Sequence, residues 1–141
     1  MCGGEVVGIR SLTKRVQVPD INLITALLEF DTGAIGVLLN SWMSGRRIFD
    51  VEMHAPGICV EAEHEGKGIL YADNDKKGIE YDTQEVSGSD QTFVYGGFQA
   101  KNRDFIDAVK AGRQPGSHFA DAIKTMEVAE KILAQMLLEG R

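Results

Sequence analysis

Residues 50–63, DVEMHAPGICVEAE, alternate polar and apolar side chains on both sides of Pro56-Gly57. Successive side chains of a strand point to opposite faces, and Pro followed by Gly is turn chemistry. The stretch therefore reads as a β-hairpin, with Val51 and Met53 on one face of its first strand and Asp50, Glu52 and His54 on the other. Toward the N-terminus, LLEF (27–30) and the branched run AIGVLLNSW (34–42) are joined by Asp31-Thr32-Gly33 and form a second hairpin. Further back, residues 5–14 alternate loosely, and the run 22–30 begins after the turn-like Pro19-Asp20. Toward the C-terminus, residues 68–72 and 78–82 are shorter strand candidates bridged by the polar tract Asp73-Asn74-Asp75-Lys76-Lys77. Residues 83–97 show no firm periodicity. Six or seven strands thus precede any helix.

The character changes after Gly97. In QAKNRDFIDAVKAG (99–112), Phe105, Ile106, Ala108 and Val109 fall on one helical face, and Gly112 is the stop signal. A second helix is expected to start near Ser117 as N-cap. It carries Ala122, Met126, Ala129, Leu133 and Met136 on one stripe, widened by Ile123, Ile132 and Leu137. Glu127 and Lys131, one turn apart, add a few tenths of a kcal/mol on its charged side. Strands first and helices last give an α+β class: a mostly antiparallel open sheet with two or more helices on one face, in a single domain over residues 1–141. The other face of the sheet must meet water, a partner or another domain.

Composition narrows the function. With 43% hydrophobic and 26% charged residues in 141, the chain can bury one core. A net charge of -6, from 21 acidic against 15 basic residues, argues against a nucleic-acid partner. No run approaches the roughly 18 apolar residues of a membrane span, and no signal peptide is visible, so a cytoplasmic protein without a membrane partner is expected. Cys2 and Cys59 sit in no ligand or redox spacing, and disulfides are not expected.

Three stretches, ALLEFDTGAIGVLLNSW (26–42), DVEMHAPGICVEAE (50–63) and NRDFIDAVKAGRQPGSHFADAIKTMEVAEKI (102–132), follow one another in an order that resembles the C-terminal domain of the Gfo/Idh/MocA family of NAD(P)-dependent oxidoreductases. Their order is more specific than any one of them. Composition and periodicity lead only to α+β; the family rests on the resemblance. It implies an enzyme acting on a sugar, polyol or related alcohol, with an N-terminal Rossmann domain for NAD or NADP. A C-terminal domain like this one closes the substrate pocket and often builds the oligomer, so a homodimer through the open sheet face is expected. The family's Gly-rich turn and Glu-Lys-Pro motif are not in this sequence, where Glu130-Lys131 runs on into Ile132. The resemblance thus implies that the dinucleotide-binding half is missing here, that no cofactor is bound by this chain, and that alone it is catalytically inactive. The alternative is a stand-alone, non-catalytic ligand-binding or dimerisation module of the same fold.

Ser44-Gly45-Arg46-Arg47, just after Trp42, is the segment best suited to binding. Two guanidinium groups beside an aromatic can hold a carboxylate, a phosphate or a sugar hydroxyl by bidentate bonds and stacking. Trp42, Arg46 and Arg47 are therefore the candidate substrate-binding residues, and in the resembling family this loop lies near the substrate pocket. The competing reading is a solvated loop with Trp42 in the core or an interface. Asp50 and His54 have the spacing of a helical catalytic pair, but in a strand they stand about 13 Å apart at ~3.3 Å per residue. Asp50, Glu52 and His54, extended by Glu61 and Glu63, could instead hold a divalent cation, against the plainer reading of a solvated acidic face. No catalytic and no metal-binding residue is assigned. His118 and His64 read as capping or surface groups. Tyr71, Tyr81 and Tyr95 suit an interface as well as a substrate contact. No Gly-x-Ser-x-Gly elbow or close Cys-His arrangement suggests a hydrolase.

Overall fold

The computed structural model describes residues 4–64 and 66–138, the last three by backbone alone. Cys2 lies outside the described residues. Seven strands come first, as expected: β1 (Val6–Lys14), β2 (Leu23–Phe30), β3 (Ile35–Ser41), β4 (Asp50–Ala55), β5 (Ile58–Glu63), β6 (Lys67–Ala72) and β7 (Ile79–Asp82). Four helices follow among the described residues, α1 (Thr83–Ser87), α2 (Thr92–Tyr95), α3 (Phe98–Ala111) and α4 (Phe119–Leu133), and then a short strand, β8 (Met136–Leu138). The class is α+β and the pairing almost all antiparallel. The strands are shared between two four-stranded sheets, ordered β3-β2-β1-β8 and β4-β5-β6-β7. They belong to two compact units, Met1–Gly45 with Ser117–Arg141, and Arg46–Gly116. The first ladder ends at Ser41, whose hydroxyl accepts from the Met43 N–H at 3.3 Å and whose carbonyl accepts from the Ser44 hydroxyl at 3.2 Å. This local turn takes the polar groups that a continuing strand would need.

In the first unit, β2 pairs with β1 and β3 in a meander, Leu27 standing opposite both Arg10 and Val37. Gly33 closes the expected turn at φ +82, its N–H donating to the Phe30 carbonyl at 2.9 Å. A backbone in that region is open to glycine at no steric cost. One sheet face is covered by α4: Ala26, Ser11 and Thr13 are buried with Ile132, and the Ser11 hydroxyl donates to the Ile132 carbonyl. The register puts Leu12, Leu27, Ile35, Val37 and Leu39 on the opposite face. There the three β3 side chains are 75%, 74% and 73% exposed.

Helix α4 departs from the sequence expectation at both ends. Its N-cap is His118 rather than Ser117, the ring Nδ1 accepting from the Asp121 N–H at 3.3 Å. It stops at Leu133, so Met136 and Leu137 leave the apolar stripe and join β8, parallel to β1 at Leu12–Lys14. Of that stripe Ile132 is buried and Ala129 half-buried, while Ile123, Met126 and Leu133 stay exposed. No helix among the described residues is long and apolar enough to cross a membrane.

In the second unit, the β4–β5 turn has Pro56 followed by Gly57 at φ +76, the type II pattern. Asp73 and Asn74 both take positive φ in the β6–β7 turn, a conformation their short polar side chains tolerate. Helix α1 is capped by Asp82, which accepts from the N–H groups of Gln84 at 2.8 Å and Glu85 at 3.2 Å. Helix α3 ends at Gly112 with φ +62, as the sequence indicates. Of its apolar face only Ala108 is buried; Phe105, Ile106 and Val109 are exposed.

Candidate functional site

Trp42 belongs to the first unit, and Arg46 and Arg47 to the second. Trp42 follows β3, anchored by its N–H to the Asn22 carbonyl at 3.0 Å, and its side chain is 80% exposed. Arg46 is exposed as well. Arg47 lines a pocket of about 120 Å³ with Phe49, Glu63 and His64. The β4–β5 register builds this pocket. Asp50 pairs with Glu63, so the segment leading into β4 runs beside the one leaving β5, and the His64 N–H donates to the Phe49 carbonyl at 3.0 Å. The Phe49 and His64 rings meet at a centroid distance of 4.7 Å, tilted by 52°. A guanidinium, an imidazole and a carboxylate around an aromatic wall supply both donors and acceptors. That balance suits a polyhydroxylated ligand better than a bare anion, which Glu63 would repel.

Phe49 and Glu63 were not singled out for this pocket by the sequence, and His64 read as a surface group. The signal was present: counting outward from the Pro56-Gly57 turn pairs 50 with 63 and brings 49 beside 64.

The same register sets Glu52 opposite Glu61 and His54 opposite Cys59, so like charges do face each other. Asp50 and His54 lie four residues apart along β4, as a strand requires, and form no helical pair. His54 Nε2 lies 2.7 Å from Glu52 Oε1. Ligand atoms of Glu52, His54 and Cys59 all lie within 4.8 Å of one another. Desolvation, then the charges of Glu52 and Glu61, push the Cys59 thiol above its ordinary value. Tyr71, opposite Cys59 on β6, is pushed up by desolvation first and by Glu61 next. Lys67 is held above its ordinary value by its hydrogen bond to Glu80.

A dinucleotide needs a strand that passes through a glycine turn into a helix N-terminus, where backbone N–H groups meet the diphosphate. Among the described residues, β7 runs directly into α1. There the Asp82 carboxylate occupies the N–H groups that a diphosphate would need. These residues do not fit that group.

No family description and no curated protein sequence matches the chain. Solved structures do. A UDP-N-acetylglucosamine 3-dehydrogenase from Acidithiobacillus ferrooxidans superimposes with a TM-score of 0.78 at 13% identity, over 95% of this chain and 41% of its own. A dehydrogenase from Chromobacterium violaceum gives 0.79 at 18%, over 94% and 40%. An oxidoreductase from Agrobacterium radiobacter, solved with NAD+, L-tartaric acid and magnesium, gives 0.70 at 19%, over 89% and 40%. The chain therefore spans about two fifths of the proteins it resembles. At such identities the shared property is the backbone arrangement, and the chain carries the fold found in Gfo/Idh/MocA-type oxidoreductases.

Proposed function

We propose that this chain is the substrate-side and assembly part of an NAD(P)-dependent oxidoreductase acting on a sugar, polyol or related alcohol. In this reading the nicotinamide dinucleotide is bound by another part of the enzyme. The observation that carries the reading is the fold shared with dehydrogenases over nearly the whole of this chain. The substrate class is supported by the neighbours named for sugars, a UDP-N-acetylglucosamine 3-dehydrogenase and an aldose-aldose oxidoreductase from Caulobacter crescentus. The mixed donors and acceptors around Arg47 point the same way. Trp42, Arg46 and Arg47 are the residues we assign to substrate specificity. Arg47 is assigned to a pair of substrate hydroxyls through its fork of donors, beside the Phe49–His64 wall. The apolar face at Val37 is assigned to a second copy of the chain, since single exposed apolar side chains are ordinary but a contiguous sheet face of them marks an interaction surface.

The test is steady-state reduction of NAD+ and NADP+ by the protein that carries this chain, over a panel of sugars and polyols. Turnover is expected, with Arg47→Ala raising KM about tenfold and leaving kcat close to wild type, the cost of one lost bidentate contact. A second reading, a binding or dimerisation module of the same fold without catalysis, is supported by the exposed apolar face of Ile35, Val37 and Leu39. A dimeric protein that reduces neither nucleotide with any of the panel would select that module.

A further inference from the structure

We propose that the turn end of the β4–β5 hairpin is a binding site for a zinc-class divalent transition ion, held by Glu52, His54 and Cys59. Residues i and i+2 of a strand share a face about 6.6 Å apart along the chain. The side chains of Glu52 and His54 nonetheless converge to 2.7 Å. Cys59 is brought in from the neighbouring strand by its direct pairing with His54. The three donor atoms lie within 4.8 Å of one another, and metal–ligand distances of about 2.0–2.3 Å place tetrahedral ligands roughly 3.3–3.8 Å apart. Small rotations of these side chains, none of them fully buried, close that gap.

The donor set selects the ion. A thiolate, an imidazole and a carboxylate suit zinc, whereas magnesium and calcium take oxygen ligands. The charge around the three residues favours any cation, because Glu61 faces Glu52 and Glu63 faces Asp50 on the same surface. Two positive charges between Glu52 and a Cys59 thiolate relieve the repulsion that this register imposes. With three protein ligands, the fourth position is left to solvent, and the ion bridges β4 to β5. This site is independent of the oxidoreductase reading and uses none of the residues assigned to substrate.

The experiment is a Co2+ titration of the protein with Cys2 replaced by Ser, so that Cys59 is the only thiol in this chain. The expected result is one Co2+ per chain with a near-ultraviolet thiolate-to-cobalt charge-transfer band, displaced by Zn2+. The band should vanish in Cys59→Ser, and affinity should fall about tenfold or more in His54→Ala and in Glu52→Gln. Glu80→Gln, a change at an acid of β7, should bind as the parent does. Circular dichroism of each variant in chelator separates loss of ligand from loss of fold. No charge-transfer band on the folded parent, a band that survives Cys59→Ser, or affinity unchanged by His54→Ala would each overturn the site.

Discussion

The carboxylate of Asp104 ties the end of α3 to the link that follows it. It accepts from Arg113 Nη2 at 2.8 Å and from the Gly116 N–H at 2.9 Å. The Arg113 bond first, and then the Gly116 bond, hold its pKa below the ordinary carboxylate range. A carboxyl whose folded value is depressed stabilises the fold at every pH above its unfolded value and loses that contribution as pH falls through the folded one. Asp104→Asn should therefore lower the melting temperature at neutral pH, and the gap to wild type should close as the medium is acidified below the ordinary carboxylate range. Thermal melts over a pH series check this; a gap that persists in strong acid would assign the effect to shape rather than charge. Arg113 lies in the Gly-Arg-x-Pro link that carries part of the family resemblance, so its place was legible while its partner was not. Cys59 differs from it. Its spacing along the chain is not that of a ligand set, but the count across Pro56-Gly57 that pairs 50 with 63 also sets it beside His54.

Among the elements, hairpins were the most legible. Period-two alternation and turn residues are local, and β4, β5 and the turn between them follow from residues 50–63 alone. The end of α4 was not legible, because the apolar stripe runs on past the point where the helix stops. Its ending depends on a distant strand. Gln135 Oε1 accepts from the Ser11 N–H at 2.8 Å, and its Nε2 donates to the Ile9 carbonyl at 2.9 Å. The side-chain amide thus satisfies the β1 edge just ahead of the stretch that β8 pairs. Gln135→Ala removes both bonds and should cost about 1–2 kcal/mol, read as a lower denaturation midpoint at unchanged m. Helix α3 shows the complementary case. Gly112 marked its end correctly, yet Phe105, Ile106 and Val109, which share its apolar face, remain exposed.

For the molecule as a whole, the informative feature is how much apolar surface stays uncovered. In the first sheet one face is closed by α4, while Leu27, Ile35, Val37 and Leu39 share the other. Covering that face with a second copy is the assembly we propose, and a charge at its centre should prevent it. Val37→Lys is expected to halve the mass measured by light scattering while leaving the circular dichroism spectrum unchanged; an unaltered dimer would place the interface elsewhere. Seven strands ahead of the two long helices, both central hairpins and the α+β class were readable in the linear chain, as was the resemblance to the family whose fold this is. Those follow from periodicities and turns that act over a few residues, and from the order of three phrases. What only the folded chain shows is that the strands divide between two sheets, that α4 yields its last apolar residues to β8, and that Gln135 bonds to the edge of β1. These outcomes depend on which ladder groups find partners across the fold, a competition between distant segments that no local pattern encodes.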